Sequence, residues 1–526
     1  IGRLSERRLS MENLKWWETA IIYQIYPRSF QDSNSDGIGD LPGITSRLNY
    51  IANLGVDAIW ISPFFRSPQK DFGYDVSDYC EIHEEYGTLN DFDKMIAKAH
   101  DLGLKLMIDI VPGHCSEQHM WFEESRQSKT NPKADWFHWV DPLDDGSAPT
   151  NWLSFFGGRA WTWEPRRQQY YLHNFLPSQP NLNHGNLQVR EAFCDIARFW
   201  FDRGVDGFRM DAVHTINADS APYRNNLAKP DFELGTLPQQ QQPFFRQLHD
   251  TAQLNQPAIQ HFIEEFRKVA DIYDGDRFLM GELHGDDAVL ASKTFTAPGR
   301  LHATYNFNLL EWAGLDVDGL KQAIFSAIDA FNGTGRLSFA FSNHDVPRSA
   351  TRQLGPLGLK TDKQEALQLL LLKLEVSLIG STCIYQGEEL ALSDVQDIPI
   401  DRMQDPWGVE FAPMFLGRDT CRTPMVWRKG DNHWGGFSDA QSTWLPISQN
   451  HMVRAGLDEA ERPGSVYNNL AGFLAWRKKQ PAMQDANDME LIVSGTEEII
   501  FDRISAEQSL RCIFNFQNLT ASFSEI

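Results

Sequence analysis

Cysteine is scarce and scattered in this chain. The six present, Cys80, Cys115, Cys194, Cys383, Cys421 and Cys512, never fall in a close pair. Zinc-site spacing is therefore absent and a disulfide framework is not expected. Cys80, Cys194 and Cys383 stand in apolar or strand-like surroundings and read as buried thiols in a reducing compartment. No apolar run approaches the roughly 20 residues that cross a bilayer. Residues 1–13 carry Arg3, Arg7 and Arg8 but no apolar core of a secretory signal. Residue 1 is not Met, so Met11 is a candidate native start, and the expected location is cytoplasmic. Cations are short as well: 48 Lys and Arg against 71 Asp and Glu leave a net charge of −23. That balance excludes nucleic acid as a natural partner, because phosphate contacts need clustered Lys and Arg. It also disfavours anionic membranes, whereas a neutral small molecule is indifferent to it. Internal repeats and extended low-complexity segments are missing.

What is present is apolar and aromatic. Forty-two per cent apolar residues, 16 Trp and 34 Phe over 526 residues make a large core and more than one domain. Apolar runs alternate with helical patterns, the βαβ rhythm of a parallel sheet. Strands are expected at 20–26, 58–62, 106–111, 207–211, 278–282, 303–307, 337–341 and 382–385, the number that closes a (β/α)8 barrel. Helices at 90–102 and 189–203 precede Gly-containing stops. Two gaps are too long for ordinary connections: 112–184, rich in Trp, Pro, Asn and Gly, and 216–260, with the polar run Gln239–Gln242. The barrel then comprises 14–111 and 185–476, and the short apolar runs of 477–526 suggest a small antiparallel β domain.

Four segments far apart place an acid at or near the end of an expected strand. They are Asp109-Ile110-Val111-Pro112-Gly113-His114, Gly207-Phe208-Arg209-Met210-Asp211, Gly281-Glu282-Leu283 and Ser342-Asn343-His344-Asp345. Barrel strand ends converge on one pocket, and two carboxylates flanking a bond are the machinery of glycoside hydrolysis. Asp211 is the candidate nucleophile. Arg209, two residues earlier on the same strand face, is expected to lower its pKa and orient it. Glu282 is the candidate general acid/base, its pKa expected to be raised by partial burial and a neighbouring carboxylate. In retaining enzymes two such groups lie roughly 5–5.5 Å apart. A further segment, Asp32-Ser33-Asn34-Ser35-Asp36-Gly37-Ile38-Gly39-Asp40, sets oxygen ligands at alternate positions around a Gly turn, spacing that suits Ca²⁺ or Mg²⁺.

Taken in order, these segments resemble glycoside hydrolase family 13, the α-amylase family, in its oligo-1,6-glucosidase/maltase branch. The resemblance runs from Trp16 to about Trp427. It implies a domain B inserted at 112–184 and assigns Asp345 to sugar hydroxyls and the oxocarbenium-like transition state. His114 and His344 are implied donors to the same glucose. Within Asp71-Phe72-Gly73-Tyr74-Asp75, Tyr74 is implied to stack on the glucose and Asp71 to grip its far hydroxyls. Arg418 is the implied partner of Asp71, with Arg422 the alternative; their pairing would close the pocket behind one sugar. Phe156 and Phe175 are implied pocket-wall residues, with plain core packing as the alternative. Asn181 stands where the branch has Asp in Gln179-Pro180-Asn181-Leu182-Asn183. Ile38 is implied to add its carbonyl to the metal loop, and Gly113, in place of Asn, argues against a second calcium.

The expected activity is a retaining, exo-acting α-glucosidase on short, maltose-type glucosides, with transglucosylation. No organic cofactor is expected, and the protein is expected to be a monomer or homodimer. A dedicated glucosyltransferase or sucrose isomerase would use the same intermediate. A catalytically dead transporter-accessory relative would lack the three carboxylates and bear a membrane span.

Overall fold

The computed structural model describes residues 14–218, 223–229, 248–249, 252–284, 288–330, 335–355, 361–413, 415–430, 433–485, 488–492 and 495–526. The candidate start at Met11 and the run Gln239–Gln242 lie outside the described residues.

Eight parallel strands close a barrel. They are β1 (Ile21–Ile25), β2 (Ala58–Ile61), β3 (Lys105–Ile110), β4 (Gly207–Met210), β5 (Phe278–Leu283), β6 (Ala303–Asn306), β7 (Arg336–Phe339) and β8 (Ser381–Tyr385). Each pairs with its neighbour in sequence, and β8 returns to β1, where Ile21 faces Thr382 and Gln24 faces Tyr385. All eight expected strands are found. Those assigned side-chain burial are buried along almost their whole length, because helices cover the outer face and side chains fill the lumen.

The helices begin where short polar residues satisfy free N–H groups. Asp40 accepts from Gly43 N to start Leu41–Leu54, and Thr88 and Asp91 form a reciprocal cap for Leu89–Asp101. Gly55, at φ 95°, ends the first of these in a left-handed turn. Between β3 and β4 the chain forms a small antiparallel sheet, with Gln169–Leu172 between Trp139–Val140 and Trp161–Glu164. A four-stranded antiparallel sheet ends the chain: β9 (Met489–Ile492), β10 (Glu498–Ile504), β11 (Ser509–Asn515) and β12 (Thr520–Glu525). Its inner face, with Phe501, Leu510 and Phe514, shares a core with Leu320, Ile324, Leu367 and Leu371 of the barrel helices.

All six cysteines are free thiols. Cys80 differs from its expected burial: in the strand Asp78–Ile82 the neighbouring Tyr79 turns inward and leaves Cys80 half-buried on the other face. Among the described residues no helix is long and apolar enough to cross a membrane.

Candidate active site

The carboxylates gather because strand ends and the loops after them share one face of the barrel. Asp211 follows β4 directly, and its N–H donates to Ile110 O at the end of β3 (2.8 Å). Glu282 lies within β5. Its Oε2 accepts from the backbone N–H of Ala212 at 2.8 Å, so the general-acid candidate is tied to the residue after the nucleophile candidate. Asp211, Glu282 and Asp345 line one cavity together with Asp71, Tyr74, His114 and Arg418. Phe155, Phe156, Phe175, Phe307 and Trp407 form its apolar wall.

Arg209 does more than the expected pairing. Its Nη1 lies 2.7 Å from Asp211 Oδ1 and 2.9 Å from Asp109 Oδ1, and its Nη2 lies 2.7 Å from Glu282 Oε2. One cation thus holds three carboxylates. The lowering expected from Arg209 is present but outweighed. Burial raises its carboxyl well above the usual range, Arg209 opposes this, and Glu282, Asp109 and Asp345 add to the rise. Asp109, fully buried with Tyr74 Oη 3.1 Å away, is likewise raised by burial, to about 7.

Asp345 behaves in the opposite way. Burial alone would raise it, but His344, Arg418 and Arg422 hold it below the usual carboxylate range. Arg422 Nη2 is 2.9 Å and Arg418 Nη1 3.2 Å from Asp345 Oδ1. Arg418 also reaches Asp71, Nη2 to Oδ1 at 2.8 Å, and both residues line the cavity. Of the two arginines weighed for that contact, Arg418 makes it, while Arg422 serves Asp345 and donates to His344 O. The amide of Gln179 donates to Asp71 Oδ2 (2.9 Å) and lies 3.2 Å from His114 Nε2. Burial lowers His114 to about 4, which leaves a neutral ring.

Two expected site residues do not reach the cavity surface. Arg209 and His344 are fully buried behind it. His344 Nδ1 meets the amide of Gln24 (2.8 Å), its Nε2 lies 3.2 Å from Asp345 Oδ2, and its ring stacks on Tyr74 at 5.5 Å. Because the amide N donates, Nδ1 accepts and the neutral ring carries its proton on Nε2, toward Asp345. His344 therefore supports the pocket residues. Asn181 ties the inserted segment to the loop after β4, donating to Asn217 Oδ1 (2.9 Å) and accepting from Asn174 N within the insertion (2.7 Å).

Sequence reasoning missed Asp405, Trp407, Gln179 as a pocket contact, and the His284–Glu311 pair (2.9 Å) at the cavity wall. Asp405-Pro406 before a helical run was a helix-start signal that had been available.

In the loop after β1, Asp32 Oδ1 accepts from Asn34 N and Ser35 N, Asn34 Oδ1 from Asp36 N, Asp36 Oδ1 from Ile38 N, and Asp40 Oδ2 from Ser33 N. Burial raises both Asp36 and Asp40, and Asp32 adds repulsion. Among the described residues no three His, Cys, Asp or Glu side chains are grouped closely enough to hold a metal by themselves. A cation here would also need the oxygens of Asn34 and Ile38, as the alternate spacing has it.

The model of the alpha amylase catalytic domain matches residues 24–486. The chain belongs to the α-amylase family. It is 44% identical to a probable alpha-glucosidase of Rhizobium meliloti (strain 1021), over 96% of this chain and 90% of that protein. It is 35% identical to an oligo-1,6-glucosidase of Heyndrickxia coagulans, over 97% of this chain and 94% of that protein. Among solved structures it is similar to an alpha-glucosyl transfer enzyme, XgtA (TM-score 0.90, 44% identity, 96% of this chain and 92% of that chain). It also resembles the trehalulose synthase of Pseudomonas mesoacidophila MX-45 (TM-score 0.85, 30% identity, 96% and 91%).

Proposed function

We propose that this glycoside hydrolase is a retaining, exo-acting α-glucosidase that removes one glucose from the non-reducing end of short α-glucosides. The observation that carries this reading is one cavity lined by Asp211 and Glu282 together with the ion-paired Asp71 and Arg418, a pair that in this reading closes the pocket behind one sugar. In the proposed reaction Asp211 attacks the anomeric carbon while Glu282 gives a proton to the departing oxygen. Glu282 then takes a proton from water, which releases glucose from Asp211 with the α configuration kept. Asp345, held ionised by two arginines, accepts hydrogen bonds from glucose hydroxyls and faces the positive charge that develops on the ring. His114 and Tyr74 border the same sugar. Arg209, behind the wall, holds Asp211 and Glu282 in register.

The test is the anomer first released from maltose, read by proton NMR. α-Glucose supports a retaining glucosidase; β-glucose overturns the covalent intermediate. A second reading, a dedicated glucosyltransferase or sucrose isomerase, is favoured by the likeness to the alpha-glucosyl transfer enzyme. It differs only in what meets the intermediate. Product analysis at high maltose concentration separates the two: mostly free glucose supports hydrolysis, mostly new oligosaccharides supports transfer.

We also propose that Asp32, Asn34, Asp36, Asp40 and the Ile38 carbonyl hold a structural Ca²⁺ or Mg²⁺. The burial of Asp36 and Asp40 and the repulsion each feels from Asp32 support this, since a cation would offset both. No catalytic step passes through that ion.

A further inference from the structure

Asp405 lies outside the cavity lining yet is fully buried against it. Its carboxylate takes most of what Arg418 can give. Oδ2 accepts the Arg418 backbone N–H at 2.6 Å, Oδ1 accepts from Nη2 at 2.7 Å, and Nε lies 3.2 Å from both oxygens. The same Arg418 then reaches Asp71 and Asp345 on the glucose side. In the other direction Asp405 is the residue before the helix Pro406–Phe411, whose second residue, Trp407, lines the cavity wall.

The junction is close-packed. The backbone N–H groups of Gln404 and Asp405 both donate to Asp419 Oδ2, at 2.6 and 2.9 Å. A Cβ on Gly417, at φ +68°, would stand 2.4 Å from Asp405 Oδ2 and 2.7 Å from Gly408 Cα. Phe156 completes a circuit from the far side. Its ring lies 5.5 Å from Trp407 and beneath the Arg418 guanidinium at 5.0 Å. Arg418 and Trp407 are thus joined by two routes: Asp405, bound to Arg418 and leading directly into the helix that carries Trp407, and the Phe156 ring, which packs on both.

We propose that Asp405 is a positioning residue that couples glucose recognition by Arg418 to the placement of Trp407 against the leaving or accepting group. The inference rests on the α-glucosidase reading. It predicts that loosening Asp405 injures substrates with a leaving sugar more than substrates without one. α-Glucosyl fluoride carries no leaving ring, so it reads Arg418 alone, whereas maltose reads Arg418 and Trp407 together.

The experiment compares kcat and KM on both substrates for wild type, Asp405→Asn, Trp407→Ala and the double variant, with melting temperature as a check on folding. Asp405→Asn keeps the shape and removes the charge on which Arg418 rests. It should lower kcat/KM about tenfold on the fluoride and about a hundredfold on maltose, mainly through KM, since a hydrogen bond to a charged group is typically worth about tenfold or more. Trp407→Ala should affect maltose alone. In the double variant the extra loss on maltose should vanish, since contacting residues in one network are not additive. Equal losses on the two substrates, or additive losses in the double variant, would overturn the coupling. If Asp405→Asn does not fold, Arg418→Lys, which cannot keep the fork against Asp405, must show the same excess loss on maltose. Wild type inactive on both substrates would refute the α-glucosidase reading itself, a result distinct from either.

Discussion

Arg418 Nη2 and Asp71 Oδ1 meet at 2.8 Å although the residues lie 347 apart in sequence. The contact joins the loop after β2 to the segment after β8, which neighbour one another only through β1 in the closed barrel. In the proposed α-glucosidase this charged pair closes the cavity behind one sugar.

The first prediction follows from that closed end. A labelled maltoheptaose should shorten one glucose at a time. A maltoheptaoside whose terminal 4- and 6-hydroxyls are blocked should not be cut. Chromatography of both digests checks it, and internal cleavage of the blocked substrate would refute exo action. Asp71→Ala should raise KM for maltose by about tenfold or more, because it leaves Arg418 without one of its buried partners.

The second prediction separates the two central carboxylates. Asp211→Asn should lose several orders of magnitude in turnover on every glucoside, with an unchanged melting temperature, because no nucleophile remains. Glu282→Gln should also be crippled on maltose. It should be least impaired on an activated aryl glucoside, whose leaving group needs no proton. Parallel kcat/KM measurements decide the matter: equal losses of Glu282→Gln on the two substrates would remove it from the acid role.

The third prediction concerns the loop after β1. A cation bound by the native loop alone stabilises the native state, by an amount that grows with the logarithm of its concentration above Kd. Chelation, or Asp32→Ala, should lower the melting temperature by a few degrees, and added Ca²⁺ or Mg²⁺ should restore the chelated wild type. Activity at low temperature should persist, since the loop supplies no residue to the cavity. Identical melting curves with chelator, Ca²⁺ and Mg²⁺ would argue that the loop is held by its backbone hydrogen bonds alone.

The barrel was legible because its strands are apolar runs buried on both faces, and each such run stood out between helical stretches. The carboxylates were legible because barrel topology brings strand ends together wherever they lie in sequence. What was not legible was sharing. Arg209 reads as the partner of Asp211 by spacing of two, and nothing in the sequence says that it also faces Asp109 and Glu282 from adjacent strands. Arg209 lowers the pKa of Asp211 as expected, but burial outweighs it, since desolvation depends on what packs around the group and not on its neighbours in sequence. His344 stands in the cluster expected for it but is buried behind the cavity surface, because adjacency to Asp345 does not tell which of two consecutive side chains faces the cavity. Asp405 and Trp407 were missed for another reason: they follow the last barrel strand in a long irregular stretch, where Asp405-Pro406 signals the start of a short helix but not its place beside the cavity.

The last prediction concerns linkage preference and turns on Ala212. This residue follows Asp211 directly, lines the cavity, and adopts a left-handed conformation with φ 39° and ψ 48°. Its N–H holds Glu282, so its backbone cannot relax without disturbing the acid. A β-branched side chain there would narrow the space for the sugar beside the cleaved bond and redirect it. Valine adds two methyl groups to alanine, and each carbon in such a pocket is worth only about 1–3 kcal/mol, so the outcome is a shift in preference and not an absolute switch. Wild type should prefer maltose over isomaltose, and Ala212→Val should move the ratio of kcat/KM values toward isomaltose. The same substitution should lower the melting temperature, because a left-handed backbone already costs about 1–3 kcal/mol at a non-glycine residue and tolerates β-branching poorly. Measuring both properties on one variant separates the effects: strain alone lowers stability and both activities together, whereas a steric filter changes their ratio. A wild type that favours isomaltose, or an Ala212→Val variant with an unmoved ratio, would defeat the assignment.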